Sequence, residues 1–264
     1  MSMGTDVMIT AGLACAGLAC AGLAALGAGL GFLLVRLFDW IPAGWLCDYG
    51  EAPGAILLSF PRLSRKRYGL LFALLLGVSY PLLFLQYGFS APGTFFFFGA
   101  ALPVLLLLAA ADAAYTILPD QLTGILALLG VFYGITCGVH MAVTGSFTVL
   151  GCFSPLLGAL AAGGAPAVLL VIGTLVFKRE IMGFGDVKLL AAIGLFCGLQ
   201  GSVLVLLLTV LFSGLTFALL MAAGRLKRGD MRPLGPFVVA AAFAYLLFSP
   251  QLHALADLYL SLFS

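Results

Sequence analysis

Three aspartates, Asp112, Asp120 and Asp186, stand where a carboxylate is hard to explain as solvated surface charge. Asp112 follows the run Leu105-Leu-Leu-Leu-Ala-Ala-Ala, and Asp186 lies in Gly183-Phe-Gly-Asp-Val-Lys188-Leu-Leu, which opens another apolar stretch. An ionisable group at membrane depth costs at least about 2.5 kcal/mol on insertion scales, so it is a functional candidate by default. Two carboxylates brought within a few ångströms cannot both ionise; they share a proton and titrate as a pair. The ionised member can deprotonate a water for attack on a peptide carbonyl while the protonated one donates to the carbonyl oxygen. Such chemistry needs neither a metal nor a covalent intermediate. Gly183 and Gly185 would leave the backbone beside Asp186 unhindered, so that a substrate strand could approach closely.

Each candidate has a plainer alternative. Asp120 follows Pro119 and precedes a helix expected from Gln121, which is the place of an N-cap. Asp186 could cap the helix it opens, and Lys188 could be an ordinary inside-facing cation. Asp112 is the hardest to dismiss, since the next helix does not begin for another eight residues. Spacing alone leaves open whether Asp112 or Asp120 partners Asp186.

Other chemistries find little support. No His-Glu-x-x-His motif occurs, and His140 and His253 fall at or beyond the outer ends of helices, so no metal or cofactor is expected. There is no Gly-x-Ser-x-Gly elbow and no phosphate-binding Gly-x-x-x-x-Gly-Lys loop. The six cysteines contain no Cys-x-x-Cys pair and read mostly as small apolar residues. Cys137 and Cys152 flank one connection, where a disulfide could form.

The elements that must position these residues follow from composition. The 264 residues are 63% hydrophobic and 8% charged, with a mean hydropathy of +1.22. Soluble domains carry about 25% charged residues, and disordered chains are poor in apolar ones. The chain is therefore an all-α polytopic membrane protein. Its net charge of +2 gives no reason to expect a nucleic-acid partner. A span needs about 20 apolar residues, and eight such runs are found, roughly 8–35, 68–88, 94–114, 121–142, 152–177, 187–200, 201–224 and 234–249. The sixth runs almost directly into the seventh through Gln200-Gly201. The stretch 250–264 is too short to span and is expected at the interface.

Residues 1–10 lack Lys and Arg, so the first run reads as a retained helix rather than a secretory signal. It repeats Ala-Gly-Leu-Ala-Cys at 11–15 and 16–20, then carries Gly27 and Gly31. Small residues on helical faces favour close packing in lipid, although low-complexity filler would look the same.

All twelve Lys and Arg fall within 36–67, 178–188 and 225–232, the connections between spans 1–2, 5–6 and 7–8. Basic loops mark the cytoplasmic side. The alternation puts both termini outside and the 112–121 connection inside, with the aspartates. Asp39, Asp48, Glu51, Glu180 and Asp230 sit in or beside the basic loops, and Asp6 and Asp257 in the outer flanks.

Asp112-Ala-Ala-Tyr-Thr-Ile-Leu-Pro-Asp120, Gly183-Phe-Gly-Asp186-Val-Lys188 and Leu234-Gly-Pro-Phe237, in that order, resemble the signatures of the prepilin peptidases, the type IV leader peptidase family of bacterial inner-membrane aspartic proteases. The resemblance covers roughly 68–250. It implies Asp112 and Asp186 as the catalytic pair, with supporting roles for Asp120, Gly183, Gly185 and Lys188. It also implies cleavage of the basic leader from type IV pilin-like precursors at the cytoplasmic membrane face. Many family members also N-methylate the product and carry two Cys-x-x-Cys pairs in the first cytoplasmic loop. Here the loop 36–67 holds only Cys47, which puts methylation in doubt; Trp40 and Trp45 suit it to the headgroup level instead. Residues 1–67 are thus read as a first helix and loop, 68–250 as the peptidase domain and 251–264 as a tail. The rival class is a proton-coupled transporter using the same carboxylates, although such sites tend to lie near the midplane within internal repeats. An inactive scaffold would leave the aspartates without a use.

Overall fold

The computed structural model describes residues 3–47, 58–146, 148–178, 182–225 and 233–262. Asp48, Glu51, Glu180 and Asp230, read above as loop acids, lie outside the described residues, as do four of the basic residues, Arg179, Lys227, Arg228 and Arg232. The described chain is helical: α1 (Met3–Trp40), α2 (Arg65–Leu83, continued as a wider turn through Gly88), α3 (Pro92–Tyr115), α4 (Asp120–Val143), α5 (Val149–Phe177), α6 (Phe184–Ala222) and α7 (Gly235–Ser261). All seven are long and apolar enough to cross a membrane.

Residues 1–41 with 54–103 form one compact unit, and 42–53 with 104–264 form another. In the first, α1 packs against α2 through glycine. A Cβ on Gly31 would collide with the backbone of Ala73, and one on Gly27 with Leu76 and the Tyr80 ring. Gly17, from the repeated segment, and Gly22, just after it, would meet nothing within 4 Å. The close packing expected of the small residues therefore falls to Gly27 and Gly31, not to Gly17 or Gly22.

The second unit holds α4 to α7 and the last turns of α3. Again the backbones approach at glycine: Gly158 of α5 lies against the Gly194 carbonyl, and Ser202 Oγ donates to Gly158 O at 2.9 Å. Helix α6 merges the sixth and seventh expected spans, and the break between them falls at Gly198 (φ 63°, ψ −174°) rather than at Gln200-Gly201. A left-handed φ of this kind suits glycine. A straight helix would carry Phe217 about 46 Å from Asp186. Instead Asp186 lies by Asp112, which bonds to Gly235 at the start of α7. Gly201 meets Tyr245 ten residues further along α7, and Phe217 returns to Phe237, with ring centroids 5.3 Å apart. Helix α6 thus folds back on itself at Gly198.

The expected C-terminal tail is helical and continuous with α7. Helix α7 continues through it to Ser261, with a kink at Phe248 (φ −131°, ψ 25°) just before Pro250. Proline lacks the N–H that would continue the ladder, and membrane helices accommodate the interruption.

Candidate active site

The site is assembled from one end each of α3, α6 and α7, with α4 tied to it. Helix α3 ends three residues after Asp112. Thr116, whose N–H donates to Asp112 O at 2.8 Å, takes a left-handed φ of 56° that turns the chain sharply out of the helix. Four residues later α4 begins, so Asp112 and Asp120 stand on either side of one tight connection.

Asp112 is 5% exposed and Asp186 8%. The two carboxylates lie within Coulombic range of each other. Asp112 Oδ2 accepts the Gly235 N–H at 2.8 Å. Asp186 Oδ1 is buried and has no hydrogen-bond partner among the described residues. An unsatisfied buried carboxylate oxygen costs the full desolvation of that atom, so its presence is a mark of function more than of packing.

Both capping alternatives are corrected here. Asp186 is not the N-cap of α6: that place is taken by Gly183, with no side-chain cap bond, and the Asp186 N–H donates to Gly183 O at 3.1 Å. Nor does Asp120 cap α4, whose N-cap is Pro119. Asp120 instead takes both of its oxygens to Lys188 Nζ, at 2.9 and 2.8 Å. Lys188 also lies over the Phe184 ring, 5.0 Å from its centroid. The lysine two residues after Asp186 is therefore a bridge to α4 as well as a basic residue at the helix end.

Of the glycines here, Gly185 and Gly235 lie where a side chain would be crowded. Gly183 has an ordinary extended backbone (φ −69°, ψ 140°), and a Cβ on Gly185 would come within 3.2 Å of the Leu118 side chain. Gly235 has the sharpest requirement, since a Cβ there would lie 2.5 Å from Asp112 Oδ2. In the sequence, Gly235 stands within Leu234-Gly-Pro-Phe237 with no role that its neighbours reveal. Its acceptor lies 123 residues away along the chain, which hides the backbone donor.

Cys137 and Cys152 are both free, so no disulfide closes their connection. Cys152 Sγ packs at the Gly138 position of α4, while Cys137 is engaged by the Tyr133 side chain.

Residues 99–219 match the model of the type IV leader peptidase family, a stretch that holds all six of the expected site residues. Among curated proteins, the chain is 31% identical over 189 residues to a prepilin leader peptidase/N-methyltransferase of Burkholderia pseudomallei, covering 68% of this chain and 58% of the relative. It is 34% identical over 149 residues to a protein of the same name from Aeromonas hydrophila, and 28% over 152 residues to that of Pseudomonas aeruginosa; each covers 56% of this chain and 48% of the relative. The chain thus spans about half the length of the curated relatives it matches. No solved structure matches. Apolar helices and bacterial relatives together make this a bacterial multi-pass membrane protein.

Proposed function

The chain belongs to the type IV leader peptidase family through residues 99–219, and on that premise we propose that it is a membrane aspartic endopeptidase using Asp112 and Asp186. Its substrates are type IV pilin-like precursors, from which it removes the basic leader at the cytoplasmic membrane face. The peptidase domain is residues 68–250. Cleavage alone is assigned, because the loop 36–67 has a single cysteine, Cys47, and no paired cysteines for a metal-stapled lobe.

The observation that carries this proposal is the asymmetry of the pair. One oxygen of Asp112 is fixed by a backbone donor, and one oxygen of buried Asp186 has no protein partner among the described residues. A pair sharing one proton can work without further groups. The ionised carboxylate takes a proton from water as its oxygen attacks the scissile carbonyl carbon. The protonated carboxyl gives its proton to the carbonyl oxygen. Collapse of the tetrahedral intermediate then breaks the C–N bond and returns a proton to the departing amine. The basic flanks Lys178 and Arg225 support the cytoplasmic assignment.

The test is co-expression with a candidate prepilin in a host lacking its own leader peptidase. Cleavage is read by a size shift, and the new N-terminus by mass. Asp112→Asn and Asp186→Asn should each lower processing by roughly 10²–10⁴-fold while both proteins still accumulate in membranes. Normal processing by either variant would overturn the assignment. Proton uptake without cleavage would favour the transporter instead. A methylated product would overturn the restriction to cleavage.

A further inference from the structure

The first unit carries a site of another kind. On α1, Gly29, Phe32 and Leu33 are followed by Arg36, and α2 opens with Arg65. With Val35, these residues line a cavity of about 390 Å³. Phe32 and Leu33 are about half exposed, and a Cβ on Gly29 would meet nothing within 4 Å, so an open apolar wall continues along the helix from the arginines. Arg65 holds Asp39 at 3.3 Å, yet its side chain remains 61% exposed and its charge available. Arg36 makes no ion pair or hydrogen bond among the described residues. Ser64, the N-cap of α2, makes no side-chain cap bond, and a helix N-terminus adds partial positive charge beside Arg65. Trp40, one turn beyond Arg36, is exposed and suits the headgroup level.

We propose that this cavity binds one anionic glycerophospholipid. The phosphate lies between Arg36 and Arg65, and an acyl chain runs along Phe32, Leu33 and Gly29. Guanidinium groups match phosphate oxygens in a fixed fork, and basic pockets between helices on the cytoplasmic side select anionic headgroups. A free phosphate would satisfy the arginines and leave the apolar wall uncovered. A zwitterionic lipid would cover the wall but bring its own cation to the arginines.

The full chain, purified in mild detergent, is offered equal amounts of phosphatidylglycerol and phosphatidylcholine, and retained lipid is counted by native mass spectrometry. Phosphatidylglycerol should be retained in preference, and excess glycerol 3-phosphate should not displace it. Arg36→Gln should lower that retention about fivefold. Gly29→Leu, which fills the groove without changing a charge, should lower it as well. Arg67→Gln, which changes a neighbouring charge outside the cavity, should leave it unchanged. Thermal unfolding identifies any variant that fails to fold, and Gly29→Leu has room for its side chain if Arg36→Gln does not fold. The proposal is overturned by equal retention of both lipids, by displacement with glycerol 3-phosphate, by wild-type retention in either folded cavity variant, or by an equal loss in Arg67→Gln.

Discussion

Two oxygens of the Asp112–Asp186 pair differ in what touches them: Asp112 Oδ2 is held by a backbone N–H, and Asp186 Oδ1 by nothing among the described residues. Gly235 therefore sets where the Asp112 carboxylate points. Gly235→Ala would place its Cβ 2.5 Å from Oδ2 and push the carboxylate aside. Misplacing a catalytic group by about 1 Å costs about 10²-fold, and that is the expected fall in the initial rate of prepilin cleavage. Gly164→Ala, whose Cβ would meet nothing within 4 Å, should cleave at the wild-type rate. A wild-type rate in Gly235→Ala would show that the contact does not orient Asp112. The two acids are legible in sequence because a carboxylate beside a long apolar run is costly to insert and to keep. The donor is not, because a backbone N–H has no residue type. Asp120 is misread for a related reason: an aspartate after proline looks alike whether it caps a helix or begins it, and its partner lies 68 residues away.

Among the elements, the Lys188–Asp120 bridge does the fastening. It joins the first turn of α6, which carries Asp186, to the first turn of α4, which follows the connection from Asp112. Both side chains are about a third exposed, so the bridge should contribute no more than about 1 kcal/mol of stability. Its larger effect is on register. A double-mutant cycle of Asp120→Asn and Lys188→Met should give a small coupling in thermal unfolding but a coupling of tenfold or more in cleavage rate. Equal couplings in the two measurements would reduce the bridge to a structural one. The helices themselves are largely legible from their apolar runs, including those interrupted by Pro103, Pro155 and Pro166. The fold-back in α6 is legible only to within a few residues. Polar Gln200 advertises a boundary, whereas the left-handed Gly198 sits unmarked between Cys197 and Leu199.

For the whole molecule, scarce charge is the organising fact. Side chains such as Leu169 and Val176 of α5 and Leu207 and Val210 of α6 are more than half exposed, a surface that water does not tolerate at this extent and lipid does. From the placement of the twelve basic residues we propose an orientation with the aspartates on the cytoplasmic side, which labelling can test. In a cysteine-free background, Ser146→Cys should react with an impermeant maleimide in intact cells. Arg225→Cys should react only after the membrane is permeabilised. The reverse pattern would invert the topology and place the aspartates outside. The proposed orientation rests on loop composition alone, whereas the depth of the site depends on where helices break. From Phe184 to Cys197 the first arm of α6 has fourteen residues, and from Gly235 to Leu247 the first arm of α7 has thirteen. At 1.5 Å per residue each is about 20 Å long, against a hydrocarbon core of about 30 Å. Both arms start at the aspartates, so a bilayer that met the breaks at their far ends would have to thin there. Lipid thickness should then affect cleavage, because a thicker membrane resists such thinning. Cleavage should be faster in vesicles of short-chain than of long-chain phosphatidylglycerol, and a rate independent of chain length would mean that other helices carry the mismatch.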